Sequence, residues 1–210
     1  MDTSLDFFNI KAKEKKIQLS ELFFSKLSHA VLSALIYLRS KEYMHRDIKP
    51  SNILINRNGE IKVCDFGISG KINQSICMTV GKGCRPYMSP EKIDEQLSVN
   101  GYTVKSDIWS LGITLIEMAK GEHPYANLDY VQQIIKIVKD NPPQLDSTRY
   151  SKLFCDFVDL CLKKMEAERP NPHELIENEF ITKYENSEND LELINKVIDL
   201  IKMDEANQDQ

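Results

Sequence analysis

His45-Arg46-Asp47-Ile48-Lys49-Pro50-Ser51-Asn52 is followed by Ile53-Leu54-Ile55, Asn56-Arg57-Asn58-Gly59, Ile61-Lys62-Val63-Cys64 and Asp65-Phe66-Gly67, and this stretch decides how the chain folds. Two short apolar runs flank a turn carrying Asn-Gly, residues that tolerate positive φ, which is a strong hairpin signal. The fold point falls between Asn58 and Gly59. An antiparallel return from that point brings Asp65 opposite Asn52, with Asp47 just upstream on the same loop. Two carboxylates and an amide converging at one end of a sheet make a hard-oxygen site suited to Mg²⁺ and phosphate.

Taken singly, Asp and Asn most often cap their own turns. Here, however, His45-Arg46-Asp47 with Asn52, then Asp65-Phe66-Gly67, then Ser89-Pro90-Glu91 resemble the eukaryotic protein kinase signature in order and spacing. Three motifs in register outweigh the local reading. The resemblance implies that Asp47 accepts the substrate hydroxyl proton, that Lys49 steadies the γ-phosphate, and that Asn52 and Asp65 hold Mg²⁺. It also places Ser51 beside the bound ATP. Asp65 to Gly70, Ser75 to Thr79, Gly83 to Met88 and Tyr102 to Thr114 narrow the likeness to mitogen-activated protein kinase kinases. Met1 to Asp6 resembles the hinge of members that feed stress-activated kinases.

The likeness spans roughly residues 1–183. It implies an α+β, mainly helical kinase large lobe with a short β-hairpin at the catalytic site and no small lobe. The downstream partner implied is a MAP kinase, phosphorylated on Thr and Tyr. Upstream of His45 lie 44 residues, which read as helix. Leu22, Phe23, Leu27, Ala30, Val31, Ala34, Leu35 and Leu38 form one stripe, with Ser20 as N-cap. No glycine-rich loop or strand-borne phosphate lysine can be placed, and Lys11 reads as a solvated charge. Gly81-Lys82-Gly83 lacks a third glycine and lies downstream of the catalytic loop.

Composition agrees with one globular unit. The 210 residues are 41% hydrophobic with a net charge of −5. That charge offers no basic footprint for nucleic acid or anionic membrane. No apolar run approaches the roughly 18 residues of a membrane span, and the N-terminus lacks the features of a signal peptide. Cys64, Cys77, Cys84, Cys155 and Cys161 are odd in number and form no Cys-x-x-Cys pair, as expected of reduced thiols in the cytoplasm or nucleus.

Beyond the hairpin the pattern is helical: Ile108 to Lys120 closing at Gly121, Leu128 to Val138, Leu153 to Met165, and Pro172 to Phe180. Asp107 is expected as a helix cap, by resemblance as an acceptor for the catalytic-loop backbone, or as both. By resemblance, Glu91 and Arg169 form a buried ion pair. Ser75 and Thr79 sit where these kinase kinases are phosphorylated, each phosphate adding about −1.5 to −2 charge for a partner such as Arg46. Lys82 departs from the acidic residue usual there.

The tail, residues 184–210, carries Leu191, Ile194, Val197, Ile198 and Ile201 on one helical face. The face is expected either to pack on its own domain or, by resemblance to the family's docking helix, to recruit an upstream kinase kinase kinase through residues 190–202. On the second reading Ile194→Asp and Ile198→Asp leave the fold intact. The end, Asp204 to Gln210, is expected to fray. Two functions are in play: a dual-specificity kinase that uses ATP and Mg²⁺, weak or inactive without its small lobe, or a non-catalytic interaction module of a MAP kinase cascade.

Overall fold

The computed structural model describes residues 1–65, 70–71, 85–94 and 103–208. A short strand β1 (Thr3–Ser4) leads into helix α1 (Leu5–Glu14), and α2 (Glu21–Ser40) follows. Ser20 caps α2 as expected, its hydroxyl accepting the Phe23 N–H at 3.1 Å. By length and composition α2 would suit a membrane span, contrary to the apolar-run count. Its apolar side chains instead form the core, with Phe23, Phe24, Leu27, Val31, Leu32 and Leu35 buried. Phe8 stacks on Phe23 at 5.4 Å, Phe24 on Phe154 at 4.9 Å, and Phe154 on Phe180 at 4.7 Å. This aromatic seam ties both ends of the chain together.

Strand β2 (Tyr43–Met44) pairs antiparallel with β5 (Gly70–Lys71), and β1–β3–β4 make a second small sheet, with β3 spanning Ile53–Ile55 and β4 Ile61–Val63. The hairpin forms as expected, but its register is shifted by one residue. Ile53 faces Val63 and Ile55 faces Ile61, so Asn52 lies opposite Cys64, whose N–H it accepts, and Asp65 continues past it. The loop is tighter than expected, because the Asn56 side chain accepts from both Asn58 and Glu60 N–H groups. Strand β1 pairs Thr3 with Ile55 and Ser4 with Leu54. Two residues are too short a strand to announce themselves by alternation.

Downstream lie α3 (Pro90–Ile93), α4 (Val104–Lys120), α5 (Tyr130–Lys139) and α6 (Lys152–Cys161), then α7 (Pro172–Ile176), α8 (Glu179–Thr182) and α9 (Leu191–Gln208). Helix α4 is buried nearly all round, carries Trp109 at 0% exposure, and ends at Gly121 with φ 73°. Its N-cap is Thr103, which accepts the Lys105 N–H; Asp107 is not the cap.

Helix boundaries differ from expectation for identifiable reasons. Helix α6 ends at Cys161, short of the expected Met165, and Arg169 takes the carbonyls of Lys163 and Lys164 in the chain that follows. The run from Pro172 to Phe180 is broken at Asn178, whose side chain caps Phe180 and starts α8. Helix α9 runs to Gln208 where fraying was expected. It packs against α1, with Ile194 at 3%, Val197 at 0% and Ile198 at 1% exposure. The tail's apolar face is therefore core, and an aspartate at position 194 or 198 would break the fold. Lys11 is not solvated either, being 13% exposed and paired with Glu14 and Asp204.

Candidate active site

The loop between β2 and β3 is fixed from beneath by one buried carboxylate. Asp107, fully buried in the first turn of α4, accepts the His45 N–H on Oδ2 at 3.1 Å and the Arg46 N–H on Oδ1 at 2.9 Å. Of the two roles foreseen for Asp107, the acceptor role is the one observed. Arg46 sits at φ 70°, a conformation costly for an L-residue unless its surroundings impose it. Lys92 of α3 also donates to the Arg46 carbonyl at 3.4 Å. His45, at 0% exposure, accepts the Asp47 N–H on Nδ1 at 3.3 Å. That leaves Nε2 as the protonated nitrogen, and it donates to the Cys64 carbonyl at 3.0 Å. Sequence reading gave His45 only a place in a motif; here it bolts the loop to β4.

This frame presents Asp47. Its Oδ2 receives Lys49 Nζ at 2.8 Å and Asn52 Nδ2 at 2.7 Å, and Asn52 Nδ2 also reaches the Asp47 carbonyl at 2.9 Å. The Asp47 side chain is only 10% exposed, so both contacts act in a partly desolvated setting where charge-assisted bonds are strongest. Asn52 is buried in the single 3-10 turn Pro50–Asn52, while Ser51 in the same turn is exposed. The Cys64 N–H donates to the Asn52 carbonyl at 2.9 Å. Asp65 follows directly, exposed and at φ 62°.

The donor chemistry fits Mg²⁺. Asn52 commits its amide nitrogen to Asp47, so its oxygen would be the donor to a cation, and Asp65 brings a carboxylate to the same hairpin end. Among the described residues no three His, Cys, Asp or Glu side chains converge. A cation here would draw its other oxygens from phosphate and water, which is how Mg²⁺ is commonly held. A recess of about 330 Å³ lies along β1, lined by Met1, Asp2, Thr3, Ser4, Phe7, Leu54 and Glu205. Phe7 and Ile10 nearby are 62% and 54% exposed.

The segment after the site is anchored to α4 and to the chain beyond α6. Glu91 and Arg169 make the expected bidentate pair at 2.9 and 2.7 Å, with side chains 1% and 0% exposed. Ser106 donates to Glu91 at 2.8 Å, and the Arg169 guanidinium lies 5.5 Å from the Trp109 ring centroid. Burial alone would raise the Glu91 pKa, but the Arg169 hydrogen bonds and charge overcome it and hold the carboxyl below its ordinary value. Sequence reading missed a second anchor: the Tyr87 hydroxyl donates to Glu117 at 2.5 Å and the Tyr87 carbonyl accepts from Ser110 at 2.8 Å. A charged residue inside the otherwise apolar run of α4 was the available signal. Phe66, Gly67, Ser75, Thr79 and Lys82 lie outside the described residues.

Comparison with known proteins bears on this geometry. The chain is 41% identical over 206 residues to dual specificity mitogen-activated protein kinase kinase sek-1 of Caenorhabditis elegans, covering 96% of this chain and 61% of that protein. It is 40% identical over 193 residues to dual specificity mitogen-activated protein kinase kinase mek-1 of the same organism, covering 91% and 54%. To human dual specificity mitogen-activated protein kinase kinase 7 it is 40% identical over 184 residues, covering 85% and 44%. The chain thus spans roughly half the length of these relatives. Its residues 3–181 match the protein kinase domain family, and the chain belongs to that family, as a large-lobe-like α+β unit similar to mitogen-activated protein kinase kinases.

Proposed function

We propose that this chain forms the large-lobe part of a dual-specificity mitogen-activated protein kinase kinase. On this reading it moves the γ-phosphoryl group of ATP to Thr and Tyr hydroxyls in the activation loop of a downstream MAP kinase. The observation that carries the proposal is the Asp47 carboxylate held between Lys49 and Asn52 on a loop immobilised by Asp107. A base so restrained can meet a substrate hydroxyl without reorganising. The hydroxyl oxygen bonds to the γ-phosphorus, the bond from phosphorus to the bridging oxygen of ADP breaks, and the hydroxyl proton passes to Asp47. Lys49, beside that carboxylate, balances charge on the transferring group. Asn52 and Asp65 are the residues that would hold Mg²⁺, which supplies charge neutralisation to the phosphates. Ser51 borders the same face.

Control of the site would come through Ser75 and Thr79, phosphorylated by an upstream kinase kinase kinase, with Arg46 as a partner for the added charge. A reducing compartment, cytoplasm or nucleus, suits the thiols. Among these 210 residues no glycine-rich phosphate loop precedes the catalytic loop, so transfer by them alone is expected to be slow.

The test is incubation of the purified chain with Mg²⁺-ATP and a catalytically dead MAP kinase, read by mass spectrometry of the activation-loop peptide. Phosphate on both Thr and Tyr should appear, and Asp47→Asn should reduce it about 10²–10⁴-fold, the usual share of a general base. Product indifferent to Asp47→Asn would remove Asp47 as the base.

A further inference from the structure

The hairpin loop joins Asn58 to Gly59, the pair of residues most prone to lose a side-chain amide without an enzyme, because glycine puts no Cβ in the way of ring closure. In that reaction the glycine backbone nitrogen attacks the Asn side-chain carbonyl carbon. A C–N bond forms in a succinimide ring, the bond to Nδ2 breaks, and ammonia leaves with the proton that the backbone nitrogen gave up. Water then adds to either ring carbonyl and opens the ring. Aspartate or isoaspartate results, and the isoaspartate route places an extra methylene in the main chain.

In the folded chain the nucleophile is held on several sides. The Gly59 N–H donates to the Asn56 carbonyl at 3.0 Å. The Asn58 and Glu60 N–H groups beside it donate to the Asn56 side-chain oxygen at 3.0 and 2.9 Å. From outside the loop Asn189, just ahead of α9, donates its side-chain amide to the Asn58 and Gly59 carbonyls at 3.3 and 3.4 Å. The Asn58 carbonyl and the Gly59 nitrogen share one peptide plane, so Asn189 on the oxygen and Asn56 on the nitrogen fix that plane from both ends. Gly59 is buried although Asn58 is exposed. Its φ is 74°, and a Cβ there would fall 2.6 Å from Asn189 Nδ2, so Asn189 covers the very backbone that would react.

We infer that Asn58 is a deamidation site guarded by Asn189, closed while the segment ahead of α9 sits on the hairpin loop and reactive when that segment lifts. The cover is a releasable one. Asn189 is only partly buried, and the neighbouring Arg57–Asp199 pair is 39% and 58% exposed. Local opening here leaves the buried seam of Ile194, Val197 and Ile198 in place. The product also acts on the loop. Arg57 gives its N–H to Asp2 at 3.0 Å and its guanidinium to Asp199, while Lys202 of α9 holds the other Asp2 oxygen at 3.0 Å. A new carboxylate beside Arg57 competes with Asp199 for it, and the methylene of isoaspartate breaks the double acceptance by Asn56. Conversion, irreversible once ammonia has left, therefore sustains the opening that allowed it.

The experiment ages the purified chain, its Asn189→Ala variant and a free peptide of residues 53–63 together at neutral pH and body temperature. Peptide mapping by mass spectrometry follows Asn58 separately from the other Asn-Gly of the chain, Asn100-Gly101, and urea midpoints report the fold. The free peptide should convert fastest and the wild-type chain slowest. Asn189→Ala should convert about three- to tenfold faster than wild type, the effect on local opening of losing hydrogen bonds of ordinary net strength, with the urea midpoint held. Should Asn189→Ala shift the midpoint, Asn189→Asp keeps the shape, removes the donor and carries the same expectation. A wild-type chain that converts as fast as the peptide, or folded Asn189 variants that convert no faster than wild type, overturns the guard. Amide exchange in residues 56–60 should be faster in the converted chain than in the unconverted one; equal exchange removes the loosening.

Discussion

Asp107 shows how a single side chain can set a site that it does not itself contact a substrate in. Its two oxygens take two consecutive backbone N–H groups, His45 and Arg46, and this double acceptance is what the left-handed backbone at Arg46 requires. Asp107→Ala orphans both donors, each at about 1–3 kcal/mol, and should lower the urea midpoint while depressing activity by displacing Asp47. Asp107→Asn keeps one oxygen and should lose less of each. A variant as stable as wild type would remove Asp107 from this role.

The Glu91–Arg169 pair makes a sharper residue-scale prediction, because its pH dependence has a definite sign. The folded carboxyl lies below its ordinary value of 4.5, so the pair's stabilisation is fully present above that value. It is lost as pH falls through the lower, folded value. Glu91→Gln, which leaves the Arg169 charge buried, should cost about 3–5 kcal/mol near neutrality. That deficit relative to wild type should shrink below about pH 4.5 in parallel acid–urea titrations. A deficit independent of pH would mean the carboxylate charge contributes nothing there.

At the scale of elements, the helices and the hairpin were written plainly in apolar spacing, caps and the Asn-Gly turn. Ser20 capping α2 and Gly121 closing α4 are local chemistry, which a sequence states directly. The errors arose where a partner distant in sequence decides. Arg169 binds the chain just past α6, and Asn178 restarts the chain inside an expected single helix. The one-residue shift of β3 against β4 follows from Asn56 closing the loop with its own side chain.

Helix α9 is the clearest case. Its stripe was visible, but whether a stripe faces a partner or its own core depends on α1 packing beneath it. Ile198→Ala should therefore cost about 2–5 kcal/mol, and Ile198→Asp should cost more by burying an unpaired charge; urea unfolding measures both. Gly121→Ala is a milder probe. The new Cβ would meet only the flexible Lys13 side chain at 3.1 Å, so the penalty should be the left-handed strain alone, about 1–2 kcal/mol.

For the whole molecule, the site is assembled by long-range ties: α4 supplies Asp107, α9 holds the hairpin loop, and the segment around Glu91 is locked to Arg169. The spacing of Asp47, Lys49, Asn52 and Asp65 grouped them in the sequence, and the structure brings the first three into contact. The ties were not legible, since Asp2 with Lys202 and Arg57 with Asp199 join residues far apart in sequence with no pattern to link them. The account's central claim is that this assembled lobe keeps a metal–nucleotide site at the hairpin end. Calorimetric titration of the purified chain with ATP, in the presence and absence of Mg²⁺, tests it most directly with Asp65→Asn as control. Mg²⁺-dependent binding that Asp65→Asn abolishes is the predicted result. Binding that ignores Mg²⁺ or survives the substitution, or no binding at all, would contradict it.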